Sequence, residues 1–461
     1  MAGERGSVEA ELGPVAQPPR AVPVLPVERE QLESRAVDLL RTLIRFDTTN
    51  PPGKERPAQE LLAQRLGAAG FDCQLVGADR ERPNLVARLP GRSDGPVLVL
   101  LGHIDTVLAE PAEWRCDPWA GELRDGCVWG RGALDMKGQV AATVVAAEAL
   151  AKSGWRPGSG ELRVIVTCDE EAGGTLGARW LCEQRPDLAR CDYLINEGGG
   201  DTFTLAGRRL WSIGVGEKGV FRFTLRTRGR AGHASTPGLA DNALVKLAPL
   251  LERLARAGTV PLPSPAVQPV IAALGLPSGA AAIEELARLT ASDRELRALL
   301  EPMLGVTFAP TMARGSAKIN VIPARAELAV DCRVPPGVDR DEALAVVREV
   351  VGDSGAELEL DEATDGSLSA PEGTLYEFIA AFCAREDPAA QPVPTLLPGF
   401  TDSRWFRATF PNCAAYGFFP QLAMEMTEAS ALIHGADERV PVADLGLAAA
   451  FYAEAAATLL A

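Results

Sequence analysis

Apolar positions along the chain recur with two periods. From 28 to 47 they fall at Leu32, Ala36, Leu39, Leu40, Leu43 and Ile44, one helical face, ended by Thr48-Thr49-Asn50-Pro51-Pro52. Pro57 opens a second helix through Leu61, Leu62 and Leu66, closed by Gly70. Strand-like pieces follow at 73–76 and 84–89, then an unbroken apolar run, 97–101, that reads as a buried strand. A loop-rich stretch with Trp114, Trp119 and Trp129 leads to Asp135-Met136-Lys137-Gly138 and an Ala-rich helix to Ala151. Strand 162–167, a Gly-rich turn, helix 175–184 and strand 193–195 continue the alternation. The predicted class is α/β, a mostly parallel sheet with helices on both faces.

The pattern changes near 214. Strand 220–227 alternates, with Phe221, Phe223 and Leu225 on one side. Helix 241–257 follows, then a long insertion, 259–310, containing Pro and Ala. Strands 317–321 and 326–333, helix 340–351 and strand 357–360 complete a β-α-β-β-α-β order, the ferredoxin-like plan. Residues 214–363 therefore read as an inserted α+β second domain. The expected first domain is 28–213 with 364–461, and it resumes with helix 374–385, strand 414–418 and a last helix from Val442. Residues 1–27, with Pro14, Pro18, Pro19, Pro23 and Pro26, read as a disordered leader.

Composition narrows the function. A length of 461 residues exceeds one typical core, and 47% hydrophobic with 23% charged residues is ordinary for a globular protein. A formal net charge of -16 argues against a nucleic-acid surface. Runs 140–151 and 445–461 are interrupted by Glu148 and Glu454, so no membrane span is expected. Nine cysteines without a C-x-x-C pair argue against a disulfide framework or structural zinc, and for a reducing cytoplasm.

The chemistry gathers at strand ends. Gly102-His103-Ile104-Asp105 follows strand 97–101, Asp169-Glu170-Glu171 follows strand 162–167, and Glu197 follows strand 193–195. Ligands of parallel sheets collect beyond such ends. His103 and Asp105, at i and i+2 of an extended chain, point the same way, as a metal ligand and its orienting partner do. The chain has three histidines, His103, His233 and His434, each in a glycine-flanked polar setting. Two divalent cations with one bridging group would need about six ligand atoms. His103, Asp135, Glu171, Glu197 and His434 can supply them. Imidazole and carboxylate without thiolate suit zinc, with cobalt or manganese as alternatives.

Five motifs in order carry a resemblance. Gly102-His103-Ile104-Asp105-Thr106-Val107, Gly130-Arg131-Gly132-Ala133-Leu134-Asp135-Met136-Lys137-Gly138, Asp169-Glu170-Glu171, Glu197-Gly198-Gly199 and His434-Gly435 resemble the co-catalytic zinc aminoacylase/carboxypeptidase family. Its members include acetylornithine deacetylase, succinyl-diaminopimelate desuccinylase, aminoacylase, glutamate carboxypeptidase and several dipeptidases. The similarity spans roughly residues 30–461.

The resemblance implies two Zn2+ per subunit. Asp135 would bridge them, with His103 and Glu197 completing one site and Glu171 and His434 the other. Glu170 would be the general base and Asp105 the partner of His103. The first domain would be the catalytic metallohydrolase and the inserted domain, 214–363, a lid and dimerisation unit, in which Arg230-Ala231-Gly232-His233 resembles a motif whose histidine steadies the oxyanion, often in the partner subunit. Asn320 and Arg333 would bind a substrate carboxylate, and Gly399-Phe400-Thr401-Asp402 would line the substrate. The implied enzyme cleaves the amide of an N-acyl amino acid or short peptide, as a homodimer paired through the lid. A carboxypeptidase or dipeptidase with the same machinery is the alternative, and a catalytically silent binding homologue the remote one.

Overall fold

The computed structural model describes residues 27–461. But for Val27, the expected leader 1–27 lies outside the described residues. A ten-stranded sheet forms the larger core. Its central strands Glu161–Thr167, Val97–His103, Tyr193–Asn196 and Ala414–Gly417 are mutually parallel. Asp72–Val76 and Asn84–Pro90 add antiparallel strands at one edge. Beyond the parallel centre lies Arg208–Glu217, which pairs in parallel with Ala390–Leu397.

Helices cover both faces, as the alternating pattern predicts. Arg29–Ile44, Lys137–Lys152 and Val442–Leu459 pack together on one face, and Ala178–Gln184 meets Ser403–Thr409 on the other. Lys137–Lys152 is apolar nearly all round and buried nearly all round. Its Glu148 is buried yet paired, accepting from Arg65 at 2.8 and 2.9 Å and Arg35 at 3.0 Å. Val442–Leu459 is long and apolar enough to cross a membrane by length and composition, but 72% of it is buried inside the fold.

A five-stranded antiparallel sheet forms the second core. Thr259–Pro261, Gly305–Arg314, Arg325–Val334, Gly219–Arg228 and Glu357–Thr364 are neighbours in that order. Helices Ala248–Ala257 and Arg340–Val351 contribute to its core. The β-α-β-β-α-β order holds, but one of its strands lies elsewhere in the chain. The strand expected at 317–321 is an exposed turn as far as Asn320, only Val321 entering the short strand Val321–Ile322, and its place in the sheet is taken by Gly305–Arg314. Alternation at Ala317, Ile319 and Val321 has no face to bury, and Ile319 is fully exposed. The true strand is masked in sequence by Pro310, which sits at a register shift.

The boundaries expected at 214 and 363 also move. Arg208–Glu217 stays in the large sheet to its last residue, and the chain crosses at Lys218. The return comes after Thr364, where Ser367–Leu368 pairs back with Glu217 and Gly216. Lys218 is buried at this crossing and donates to the carbonyls of Pro302 at 2.9 Å and Gly305 at 2.7 Å. The insertion 259–310 does not all belong with the lid. Its helices Val267–Leu274, Ala280–Leu289 and Arg294–Leu300 bury Val270, Leu286 and Leu300 in the larger core. Their apolar faces have a partner there that the small sheet, already covered by two helices, does not offer.

Candidate metal centre

Three parallel strands end at one edge and deliver ionisable groups there. Val97–His103 ends on His103 itself. Gly102 precedes it because a Cβ would lie 2.8 Å from Val140 Cγ2. Glu161–Thr167 runs into the short helical turn Glu170–Ala172. Tyr193–Asn196 runs into Glu197, whose carbonyl passes where a Cβ on Gly417 would be, 2.1 Å away. Asp135 precedes helix Lys137–Lys152, and His434 follows helix Met426–Leu432.

These side chains converge. His103 Nε2 lies 3.0 Å from Asp135 Oδ1 and 3.7 Å from Glu197 Oε2. His434 Nε2 lies 3.1 Å from Asp135 Oδ2 and 3.2 Å from Glu171 Oε2. Each oxygen of one carboxylate therefore faces a different imidazole. Ligand atoms of His103, Asp135 and Glu171 lie within 4.8 Å of one another, as do those of His103, Glu170 and Glu197. One imidazole, His103, is common to both groups and His434 adds a second beside Asp135 and Glu171; imidazole and carboxylate with no thiolate make a donor set that suits divalent cations.

The electrostatics point the same way. Burial alone would push the His103 pKa down, but the charge of Glu197 and hydrogen bonds to Asp105 and Asp135 hold it well above the usual value. Burial pushes Glu197 up to about 7, and burial with the charge of Glu197 pushes Glu170 well up. Asp135 goes the other way, since hydrogen bonds from His103 and His434 outweigh its burial. His434, donating to Asp135 and Glu171, is raised to about 10. Crowded carboxylates that resist ionising together are what a bound cation relieves.

Asp105 does more than face His103. The ring Nδ1 lies 3.0 Å from the Asp105 carbonyl oxygen and 3.6 Å from its carboxylate. The carboxylate accepts the backbone N–H groups of Glu170 at 3.2 Å and Glu171 at 3.1 Å, and Asn50 Nδ2 at 2.9 Å. It therefore fixes the turn that carries both glutamates. Asp169, just before them, adopts a left-handed φ of 68°. Its carboxylate accepts the Leu176 N–H at 3.0 Å and meets Arg82 Nη1 at 3.1 Å, contacts that hold that backbone.

The substrate-side residues are placed unequally. Gly399 and Thr401 line a cavity of about 370 Å³ together with Asp135, Glu170, Glu171, Glu197 and His434. The Thr401 N–H donates to Glu217, and its hydroxyl accepts from the Ser403 N–H at 3.2 Å. Arg333 is held by Asp331 at 2.6 Å, and its guanidinium lies 5.7 Å from the ring centre of Phe400, a lining residue. Its Nη1 is buried without a partner among the described residues. His233 and Asn320 are exposed and do not line the cavity. They sit side by side, since Gly232–His233 pairs with Val321–Ile322 and the Ala234 N–H donates to the Asn320 carbonyl. The three tryptophans stay outside the cavity lining; Trp114 lies beneath Arg131.

Two residues escaped the sequence reading. Glu438, fully buried, accepts the N–H groups of Gly132, Leu134 and Asp135 at 2.7 to 3.0 Å and pairs with Arg131 at 2.6 Å. Arg131 also donates to the carbonyl of Gly435, beside His434. Arg404 stacks 3.9 Å from the Phe400 ring centre, and its Nε is buried without a partner among the described residues. The signal for both was proximity to motifs already singled out, Glu438 after His434-Gly435 and Arg404 after Thr401-Asp402.

Comparison with known proteins supplies the wider setting. Residues 99–458 match the family model described as peptidase family M20/M25/M40. A succinyl-diaminopimelate desuccinylase of Cereibacter sphaeroides is 30% identical over 432 residues, covering 90% of this chain and 96% of the relative. Among solved structures, the M20 family metallo-carboxypeptidase Sso-CP2 of Sulfolobus solfataricus superposes with a TM-score of 0.65 at 16% identity, covering 91% of this chain and 98% of the other. The Bacillus subtilis YXEP protein, described as a dinuclear metal binding peptidase of the M20 family, superposes with a TM-score of 0.56 at 17% identity, covering 94% of this chain and 99% of the other.

Proposed function

The chain belongs to peptidase family M20/M25/M40, whose members are metallohydrolases, and on that premise we propose that it cleaves the amide of an N-acyl amino acid or short peptide bearing a free carboxylate. The observation that carries this is Asp135 facing both His103 and His434, with Glu171 and Glu197 closing the two halves of the cluster. His103, Asp135 and Glu197 would hold one Zn2+, and Asp135, Glu171 and His434 the other, with Co2+ or Mn2+ as alternatives. When bound, the metal pair acidifies a water and polarises the scissile carbonyl.

The chain's own residues do the rest. Glu170 lines the cavity beside this cluster, and no hydrogen bond to its carboxylate is present among the described residues. It takes the proton of the attacking water and returns it to the leaving nitrogen. Asp105 positions Glu170 through its backbone N–H. Gly399 and Thr401 line the substrate, and Arg333 meets the free carboxylate with its unpartnered Nη1. Asn320 joins it, and His233 steadies the oxyanion, once the lid closes or a partner subunit offers its own lid. Exposed Leu239, Val245, Met312 and Ile319, in or beside the lid sheet, support pairing of two chains through that unit. Nine unpaired cysteines suit a reducing cytoplasm.

The test is a hydrolysis screen of N-acyl amino acids against dipeptides, with zinc, cobalt and manganese supplied in turn to metal-stripped protein. Metal-dependent release of a free amino acid is expected. Hydrolysis unaffected by chelation would sink the proposal. Preference for peptides over acyl amino acids would select the carboxypeptidase or dipeptidase alternative. Sedimentation analysis checks the dimer.

A further inference from the structure

The cavity is not uniform. Beside the acidic cluster it is walled by apolar side chains, among them Leu299, Met303, Phe419 and Met426. Leu299 and Met303 come from the long insertion within the lid sequence. Asp201 and Gln421 also line it, and they are joined by a hydrogen bond from Gln421 Nε2 to Asp201 Oδ1 at 2.8 Å. That bond settles the amide's orientation, because the NH2 must face the carboxylate. Gln421 Oε1 therefore faces elsewhere. It is buried without a partner among the described residues, on a side chain 5% exposed. Asp201 Oδ2 also accepts no hydrogen bond among the described residues. Buried Asp444 adds like charge close to Asp201. No lysine or arginine lines the cavity among the described residues.

We propose that Asp201, held in place by Gln421, forms an acceptor subsite for a cationic amine at the tip of an apolar acyl chain. The proposal rests on the hydrolase reading above. If Arg333 and Asn320 take the carboxylate of the leaving amino acid, the acyl group is the part left to enter the cavity. Its stem meets the apolar wall. Its ammonium donates to the free Oδ2 of Asp201, whose other oxygen Gln421 holds. An acyl chain ending in a carboxylate would meet the negative charge of Asp201 and Asp444, with no lysine or arginine in the described lining to offset it.

The test compares kcat/KM for three acyl derivatives of one amino acid that differ at the tip, hexanoyl, 6-aminohexanoyl and adipoyl. The amino tip should exceed the alkyl tip by about tenfold or more, and the carboxylate tip should fall about tenfold or more below it. In Asp201→Asn, the ratio of 6-aminohexanoyl to hexanoyl should collapse toward one, and Gln421→Leu should lower it partway. Equal rates on all three, or a preference for adipoyl, would overturn the subsite while leaving the hydrolase reading intact. Hydrolysis of none of them, with every metal, would overturn both. The wild-type ranking decides the matter even where a variant fails to fold.

Discussion

The backbone N–H of Asp135 donates to Glu438 Oε1 at 3.0 Å, across 303 residues of sequence. Glu438 also takes the N–H groups of Gly132 and Leu134 and pairs with Arg131. One buried carboxylate thus fixes the backbone that aims Asp135 between two imidazoles. Glu438→Gln should lower metal affinity about 10- to 100-fold, as loss of an outer support does. It should also destabilise the fold by about 3 kcal/mol, because Arg131 stays buried without its counter-charge. Metal titration and denaturant unfolding check the two effects separately.

Glu170→Gln separates catalysis from binding. Metal content should be unchanged, and kcat should fall by about 10² to 10⁴. Full activity in this variant would remove Glu170 as the base.

His434→Ala should reduce bound metal from two ions per chain toward one, since Glu171 and Asp135 lose the imidazole they share. Elemental analysis after dialysis reads the stoichiometry directly, and two ions retained would contradict the assignment.

Metal binding should strengthen as pH rises. Without metal, His434 holds its proton to about pH 10 because Asp135 and Glu171 accept from it, and burial raises Glu197 to about 7. A cation must displace those protons, so apparent affinity increases from pH 6 to 9 and protons are released on binding. Calorimetry in two buffers of different ionisation enthalpy measures that release.

Glu148 tests the support of the core rather than the site. Burial opposes its ionisation, but hydrogen bonds from Arg65 outweigh this and hold its pKa below 4.5. A carboxylate lowered on folding stabilises above its unfolded value and loses that contribution as pH falls through the folded one. Glu148→Gln should cost about 3 kcal/mol at pH 7. The two proteins should converge in acid, which unfolding curves from pH 7 to 3 would show.

The chain's own pattern determined the larger architecture and the members of the acidic cluster. An apolar run that stops at a glycine and a polar pair is a local signal, and it marks both a strand and the edge where that strand ends. His103, Glu170, Glu171 and Glu197 were legible for that reason. Local alternation failed where no face existed to bury it, at 317–321, and where Pro310 hid a strand that tertiary pairing sustains. The helices of the insertion carried apolar faces, but which core would take them depended on the space each sheet had left uncovered. Glu438 carried no signal of its own, because its partners are backbone N–H groups more than 300 residues away, and backbone donors leave no mark in a sequence. The motif resemblance implied Asp135 as the shared group, and tertiary structure alone decided which of its oxygens faces His103 and which His434, and that Asp201 and Gln421 share their cavity.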